Sequence, residues 1–472
     1  MRYVRRGLAL LLSLIVLISL LSSAAAEVPF LQHADGWMPL LTGMPAEVVV
    51  KADVTSCMPY DEERLAMLRQ VTDELTMRIR TSGEEGSVTI LVGATEAMTM
   101  AVRGREAQLS FMSQMSFAAG DDPMGKLLGG STAFSMPYGL SAEAETLLED
   151  GWTLLLALEE PLAEYGNRKN VRTAITDMGL ARTCTDYAIS ANKVDILLPM
   201  LLDNCPEGWL REILSGLTFS GKQTLRVYRD ENGVPLRMEY NGTCGPEGNL
   251  RTVKLVWRMR RDDVAYRDEV TLTSPAKSGT NKNNLEFERV LTKNKQGAWE
   301  LEGSFTYTVV ADKQTTTRKG DFSLVNAATD SADVVTGEVT LQQKLPGQDA
   351  FDGVRIAPEM TLSAENGSPV ITGSVTVSTL NGKDVLDSAV LHIGMYPFAG
   401  VIWQEREEVI DLDQLSAEEL AVLQADVTYG AAVSLVRPLI MLLGDTADWF
   451  FRDMLPEQIQ RITDAANIVV LE

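Results

Sequence analysis

The sequence predicts an α+β protein: a long curved antiparallel β-meander, half-barrel-like, with helices packing on it. Three observations predict this. Beyond Ser220 the chain reads as about a dozen strand-like runs with no helical period between them. Apolar steps of three and four recur only before and after that stretch. Apolar residues make up 45% of the 472-residue chain, enough to bury a substantial core.

In chain order, Met1–Ala26 has the form of an export leader. Arg2, Arg5 and Arg6 give a cationic start, Gly7–Leu21 an apolar run, and Ala24-Ala25-Ala26 a small-residue exit before Glu27. Cleavage there places the working protein outside the cytoplasm, secreted or associated with the cell envelope; left uncleaved, the leader would be a membrane anchor. After it, no segment reaches the ~20 apolar residues that span a bilayer, so no further transmembrane helix is expected.

Residues 27–215 form an expected N-terminal α+β region. Ala46–Val54 is strand-like, with Val50, Ala52 and Val54 on one face. Tyr60–Arg80 places Leu65, Leu68, Val71, Leu75 and Ile79 at helical steps, with acids in the first turn, where they suit the helix dipole. Ser87–Phe117 returns to strands: Met98, Met100 and Val102 share one face, and Leu109, Phe111, Met115 and Phe117 another. Helices are expected from Ser141 to Glu164, Asn170 to Asp177, Asn192 to Leu202 and Pro206 to Leu214, with a strand over Thr183–Ser190.

Residues 216–395 are the expected meander. Asn232-Gly233 and Asn381-Gly382 are tight-turn pairs, since both central positions need φ > 0. Gly303-Ser-Phe-Thr-Tyr, Gly320-Asp-Phe-Ser-Leu, Gly337-Glu-Val-Thr-Leu and Gly373-Ser-Val-Thr-Val repeat one pattern, and strand glycines at such places bend a sheet. Residues 396–472 are an expected helical region packing on the sheet. Ser416 and Glu419 stand at capping-box spacing, and Pro438 is expected to end or kink the helix that follows.

Composition excludes several functions. The formal charge of -23 repels phosphate backbones and anionic headgroups in bulk, so nucleic acid is not an expected partner. With only His33 and His392, histidine-based zinc sites and Ser-His-Asp devices have little to work with, and no Gly-x-Ser-x-Gly appears. No catalytic residue, metal ligand or cofactor is assigned. A carboxylate-based hydrolase would use a pair such as Asp121/Asp122, Glu159/Glu160 or Asp411/Asp413. Arg258-Met259-Arg260-Arg261 alternates as a solvated strand face. Cys57, Cys184, Cys205 and Cys244 allow two disulfides outside the cytoplasm, in three connectivities, or four buried thiols.

The segment Thr183–Pro275 resembles the lipoprotein-carrier superfamily typified by LolA and LppX. The likeness lies in a strand (Cys184–Ser190), a helix (Asn192–Leu202), a hairpin at Asp230-Glu-Asn-Gly-Val-Pro235, and strands ending in Tyr266-Arg-Asp-Glu-Val-Thr-Leu-Thr-Ser-Pro275. The resemblance implies a curved sheet over helices that holds lipid acyl chains in its concavity. The expected guest is therefore a lipid, another apolar ligand or a lipid-modified envelope protein. Met98, Met100, Val102, Leu109, Phe111, Leu435 and Leu439 are the candidate wall, because thioethers and aliphatic side chains adapt to irregular partners. A structural or adhesive surface protein is the alternative.

Overall fold

A computed structural model describes residues 30–444 except 42, 58–59, 84, 112–113, 121–122, 129–151, 154, 173–181, 204–210, 212–214, 246–249, 262–264, 276–281, 312, 366 and 406–407. Helix α1 (Ala34–Trp37) runs into a 3-10 turn over Met38–Leu40. Then come β1 (Ala46–Cys57), α2 (Glu62–Asp73), β2 (Leu75–Ser82), β3 (Glu85–Val92), β4 (Thr95–Arg103), β5 (Glu106–Ser110), β6 (Gln114–Ala118) and α3 (Pro123–Leu128). Next are α4 (Glu159–Tyr165), β7 (Asn167–Arg172), β8 (Thr183–Ile189) and α5 (Leu197–Asp203). The meander follows: β9 (Thr218–Arg229), β10 (Pro235–Gly245), β11 (Arg251–Arg261), β12 (Ala265–Pro275), β13 (Lys282–Lys293) and β14 (Trp299–Ala311). It continues through β15 (Gln314–Asn326), β16 (Ala332–Lys344), β17 (Asp352–Glu365), β18 (Ser368–Asn381) and β19 (Asp384–Pro397). The two-residue β20 (Ile410–Asp411) and α6 (Ala417–Leu443) complete the described chain.

The twenty strands among the described residues belong to one sheet. Hairpin ladders run from β7 to β19, β19 pairs back onto β1 (Val50↔Ile393), and β1 leads through β2 to β6. Among the described residues no ladder joins β6 to β7. This overturns the α+β expectation. Among the described residues the helices are few and short apart from α6, and a single, almost wholly antiparallel sheet organises the N-terminal strands and the meander alike. The missing signal was β1–β19, a pairing of residues more than 300 positions apart that no local pattern reveals.

Local expectations were corrected too. Tyr60–Arg80 is not one helix: α2 stops at Asp73 and β2 follows. Leu75, Met77 and Ile79 alternate with Thr76, Arg78 and Arg80, a period of two that the helical spacing concealed. Asn170–Asp177 is expected as helix, yet Asn167–Arg172 pairs with β8; the rest of that segment lies outside the described residues. Pro438 does not end α6, which continues to Leu443. The expected capping box is present, with Ser416 N donating to Glu419 Oε2 at 2.8 Å. The helices expected at Ser141 and Pro206 and the leader fall outside, wholly or largely, and the chain after Gly444 lies wholly outside, the described residues.

One face of the sheet is apolar across nearly its whole width, because residues directly opposite in antiparallel strands point to the same side. One row reads Met259, Asp268, Arg289, Gly303, Phe322, Val339, Ile356. The glycine repeat lies on this face. A Cβ on Gly303 would meet the Phe322 ring at 2.3 Å, and one on Gly320 the Phe305 ring at 2.3 Å. Gly303 and Gly320 therefore each seat the aromatic ring of the other's repeat. Gly337 (φ +147°) lies in the stretch opposite Pro358, where the β16–β17 ladder is interrupted.

A strap formed by residues 30–41 covers part of this face over β13–β19 and β1. Phe30 and Trp37 are fully buried there, among Leu324, Val335, Met360 and Val375. A polar latch fixes the strap. The fully buried Asp333 carboxylate accepts from Gln32 N (2.8 Å), His33 N (2.9 Å), Trp37 Nε1 (3.1 Å) and Asn326 Nδ2 (2.7 Å). Asn326 Nδ2 also donates to the Phe30 carbonyl at 2.6 Å. The buried Trp37 indole N–H and the Phe30 carbonyl thus both meet a partner, as burial requires.

Candidate functional site

The expected ligand wall lies on the same apolar face, at β4–β5. Met100 pairs with Leu109 and Val102 with Ala107, so the two groups expected on separate faces form one. Their own chain occupies them. Met100, Val102, Leu109 and Phe111 pack with Leu127 of α3 and with Leu420, Leu423 and Val427 of α6. A Cβ on Gly430 would lie 2.3 Å from the Phe111 ring, so the glycine lets α6 rest on it. Met98 sits opposite Ile90 and is half-buried. Leu435 and Leu439 pack with Val71, Val92 and Val436 in a neighbouring cluster. Helix α6 is long and apolar enough, by length and composition, to cross a membrane. Here its inward residues pack on β3–β6 and α2.

Sequence reasoning missed a different part of the face. Two cores meet across the meander. The strap core takes the strands from β13 onward, and a second gathers Leu162 of α4, Leu197 and Leu201 of α5, Ile189, Leu225, Met238 and Trp257. Between them, toward the ends of β12–β14 that carry Pro275, Lys282 and Ala311, lie Leu272, Leu285, Phe287, Phe305 and Tyr307. Each is half-buried, and none belongs to either core. They form two adjoining rows: Val270, Phe287, Phe305, Gly320, and Leu272, Leu285, Tyr307, Arg318. The available signal was the repeat itself, which places Phe305 and Tyr307 two residues apart on one strand.

Charge on this face is asymmetric. On β11–β16 its carboxylates are Asp268 and Asp333, both fully buried; Asp268 is paired with Arg289 at 2.8 Å and Asp333 is held in the latch. The cations include Arg251, Arg318 and Lys293. The opposite face of the same strands mixes both signs, with Glu269, Glu286, Glu288, Glu300, Glu302, Asp321 and Glu338 among Lys254, Arg258, Arg260, Arg267 and Lys319.

Several of the other candidate groups are structurally engaged. Glu159 accepts from Tyr187 Oη (2.9 Å) and Arg229 Nη2 (2.5 Å), tying α4 to β8 and β9. Asp413 pairs with Lys126 and accepts from Gly120 N, which holds its carboxyl below the usual range. Asp121 and Asp122 lie outside the described residues. Arg258 pairs with Glu269 at 3.1 Å, on the face opposite Trp257 and Met259. No disulfide joins Cys57, Cys184 and Cys244, and Cys205 is outside the described residues. Burial pushes the Cys184 thiol up to about 11, so it stays protonated near neutrality and is a poor nucleophile. Among the described residues no three His, Cys, Asp or Glu side chains are placed to hold a metal.

No family model matches the sequence, and no curated protein matches it significantly. Solved structures give distant likenesses. OmpT expressed in the outer membrane of Vibrio cholerae shares 8% identity over 75% of this chain and 95% of its own, with a TM-score of 0.28. OccK3 (OpdO) of Pseudomonas aeruginosa shares 6% identity over 77% and 98%, with a TM-score of 0.26. OpdQ of the same organism shares 7% over 75% and 95%, also at 0.26.

Proposed function

We propose that this is an exported, non-catalytic binding protein of the cell envelope or its exterior, which holds an apolar ligand or lipid-modified partner on the half-buried patch of its sheet. The observation that carries the reading is that patch: Leu272, Leu285, Phe287, Phe305 and Tyr307, two of them phenylalanines, outside both cores. An apolar row left between two packed regions gains when a hydrocarbon chain covers it, at roughly 25 cal/mol per Å² removed from water. The leader-like Met1–Ala26 supports an extracytoplasmic location. The likeness of residues 183–275 to lipoprotein carriers points to the same class of guest.

Native mass spectrometry of the mature protein, purified without detergent, tests this. The expected result is an added lipid mass that is lost in Leu285→Asp and Phe287→Asp variants whose circular dichroism is unchanged. A bare protein mass under several extraction conditions, or an adduct retained by both folded variants, overturns the reading.

A further inference from the structure

The patch ends in cations. Following the row Leu272, Leu285, Tyr307 to the next strand reaches Arg318, which is exposed and whose Nε donates to Gln343 Oε1 at 3.0 Å. One row nearer the strand ends, Arg251 Nη1 lies 3.2 Å from the Asn283 side-chain amide. Arg251 is on β11, Asn283 on β13 and Arg318 on β15, so the cations flank the apolar rows along one rim. The nearest exposed carboxylate on that row is Asp352, two strands beyond Arg318 (Arg318↔Gln343↔Asp352), and it accepts from Gln348 Nε2 at 2.8 Å. On the opposite face of these strands Arg258 and Arg267 are paired with Glu269 and Glu288, whereas among the described residues no carboxylate is paired with Arg318 on the apolar side.

Taking the apolar-guest reading as its basis, we infer that the guest is a lipid with an acidic headgroup. Its chain lies along Leu272, Leu285, Phe287, Phe305 and Tyr307, and its anionic head meets the guanidinium of Arg318, with Arg251 on the far side of the patch. Guanidinium groups match carboxylate and phosphate oxygens in a planar fork, and an ion pair at the edge of an apolar surface is less screened than one in open water. The inverse arrangement, a cationic or neutral amphiphile, would bring a like charge, or no charge, to Arg318. The net negative charge of the chain disfavours anionic lipid over the surface as a whole, and the rim offsets this beside the apolar rows.

Fluorescence titration of the full mature chain with cis-parinaric acid and with its methyl ester decides the matter. Both probes carry the same hydrocarbon chain, and only the first carries a charge. The expected result is at least tenfold tighter binding of the acid at low salt, a ratio that shrinks as ionic strength rises. Arg318→Glu abolishes the preference, Arg318→Lys retains part of it, and neither moves the affinity for the ester. Equal binding of acid and ester overturns the headgroup inference and leaves the apolar-guest reading standing. Failure of both probes to bind overturns both.

Discussion

Replacing Asp333 with alanine is expected to destabilise the protein by about 3–5 kcal/mol, because it strips the acceptor from four N–H donors inside the sheet. Three of the donors belong to the strap, at Gln32, His33 and Trp37, and the fourth is Asn326. The Trp37 indole N–H is buried, so it loses its partner without replacement. The loss is local in consequence as well as large. Trp37 and Phe30 cover Leu324, Val335 and Met360, so a released strap exposes the adjoining core. Urea denaturation measures the fall in stability, and hydrogen exchange reports faster exchange over residues 30–41 than elsewhere. Asp333→Asn is expected to cost less, since its one remaining carbonyl oxygen still accepts part of the set. An alanine variant as stable as the parent would show that the latch does not hold the strap.

Gly337→Ala is the second large effect, also expected at about 3–5 kcal/mol. A Cβ there would stand 2.1 Å from the Ser323 carbonyl oxygen and 2.8 Å from the Leu324 Cα, both backbone atoms of β15, and φ is +147°. Relief requires the β15–β16 ladder to part at the position where the β16–β17 ladder is already interrupted. Gly347 provides the control. Its φ is +82°, but nothing lies within 4 Å of its would-be Cβ. Gly347→Ala should therefore cost about 1 kcal/mol, from backbone conformation alone. Thermal or urea unfolding of the pair separates close approach from conformational preference; equal costs would contradict the packing explanation.

What could be read from the sequence was local. Lys222–Arg229 and Val234–Tyr240 flank Asn232-Gly233, and β9 and β10 meet at that turn, because alternation and turn chemistry are written within a few residues. The glycine repeat was visible, and its reason is the seating of Phe322 and Phe305 on the preceding and following glycines. What could not be read depends on distant partners. Asp333 looks like any acid beside a turn until the strap, some 300 residues earlier, arrives on it. Met100, Leu109 and Phe111 look like a ligand wall until α6 lies over them. The apolar stretch at Leu285, Phe287 and Phe305 was legible as strand, but its position between two cores depends on where the strap and α5 end.

The most direct test is site mapping with a photoreactive fatty acid whose diazirine sits mid-chain. After irradiation and proteolysis, the account predicts adducts concentrated on peptides containing Leu272, Leu285–Phe287 and Phe305–Tyr307, suppressed by excess unlabelled fatty acid. Adducts confined to α6 or spread evenly over the surface would contradict it.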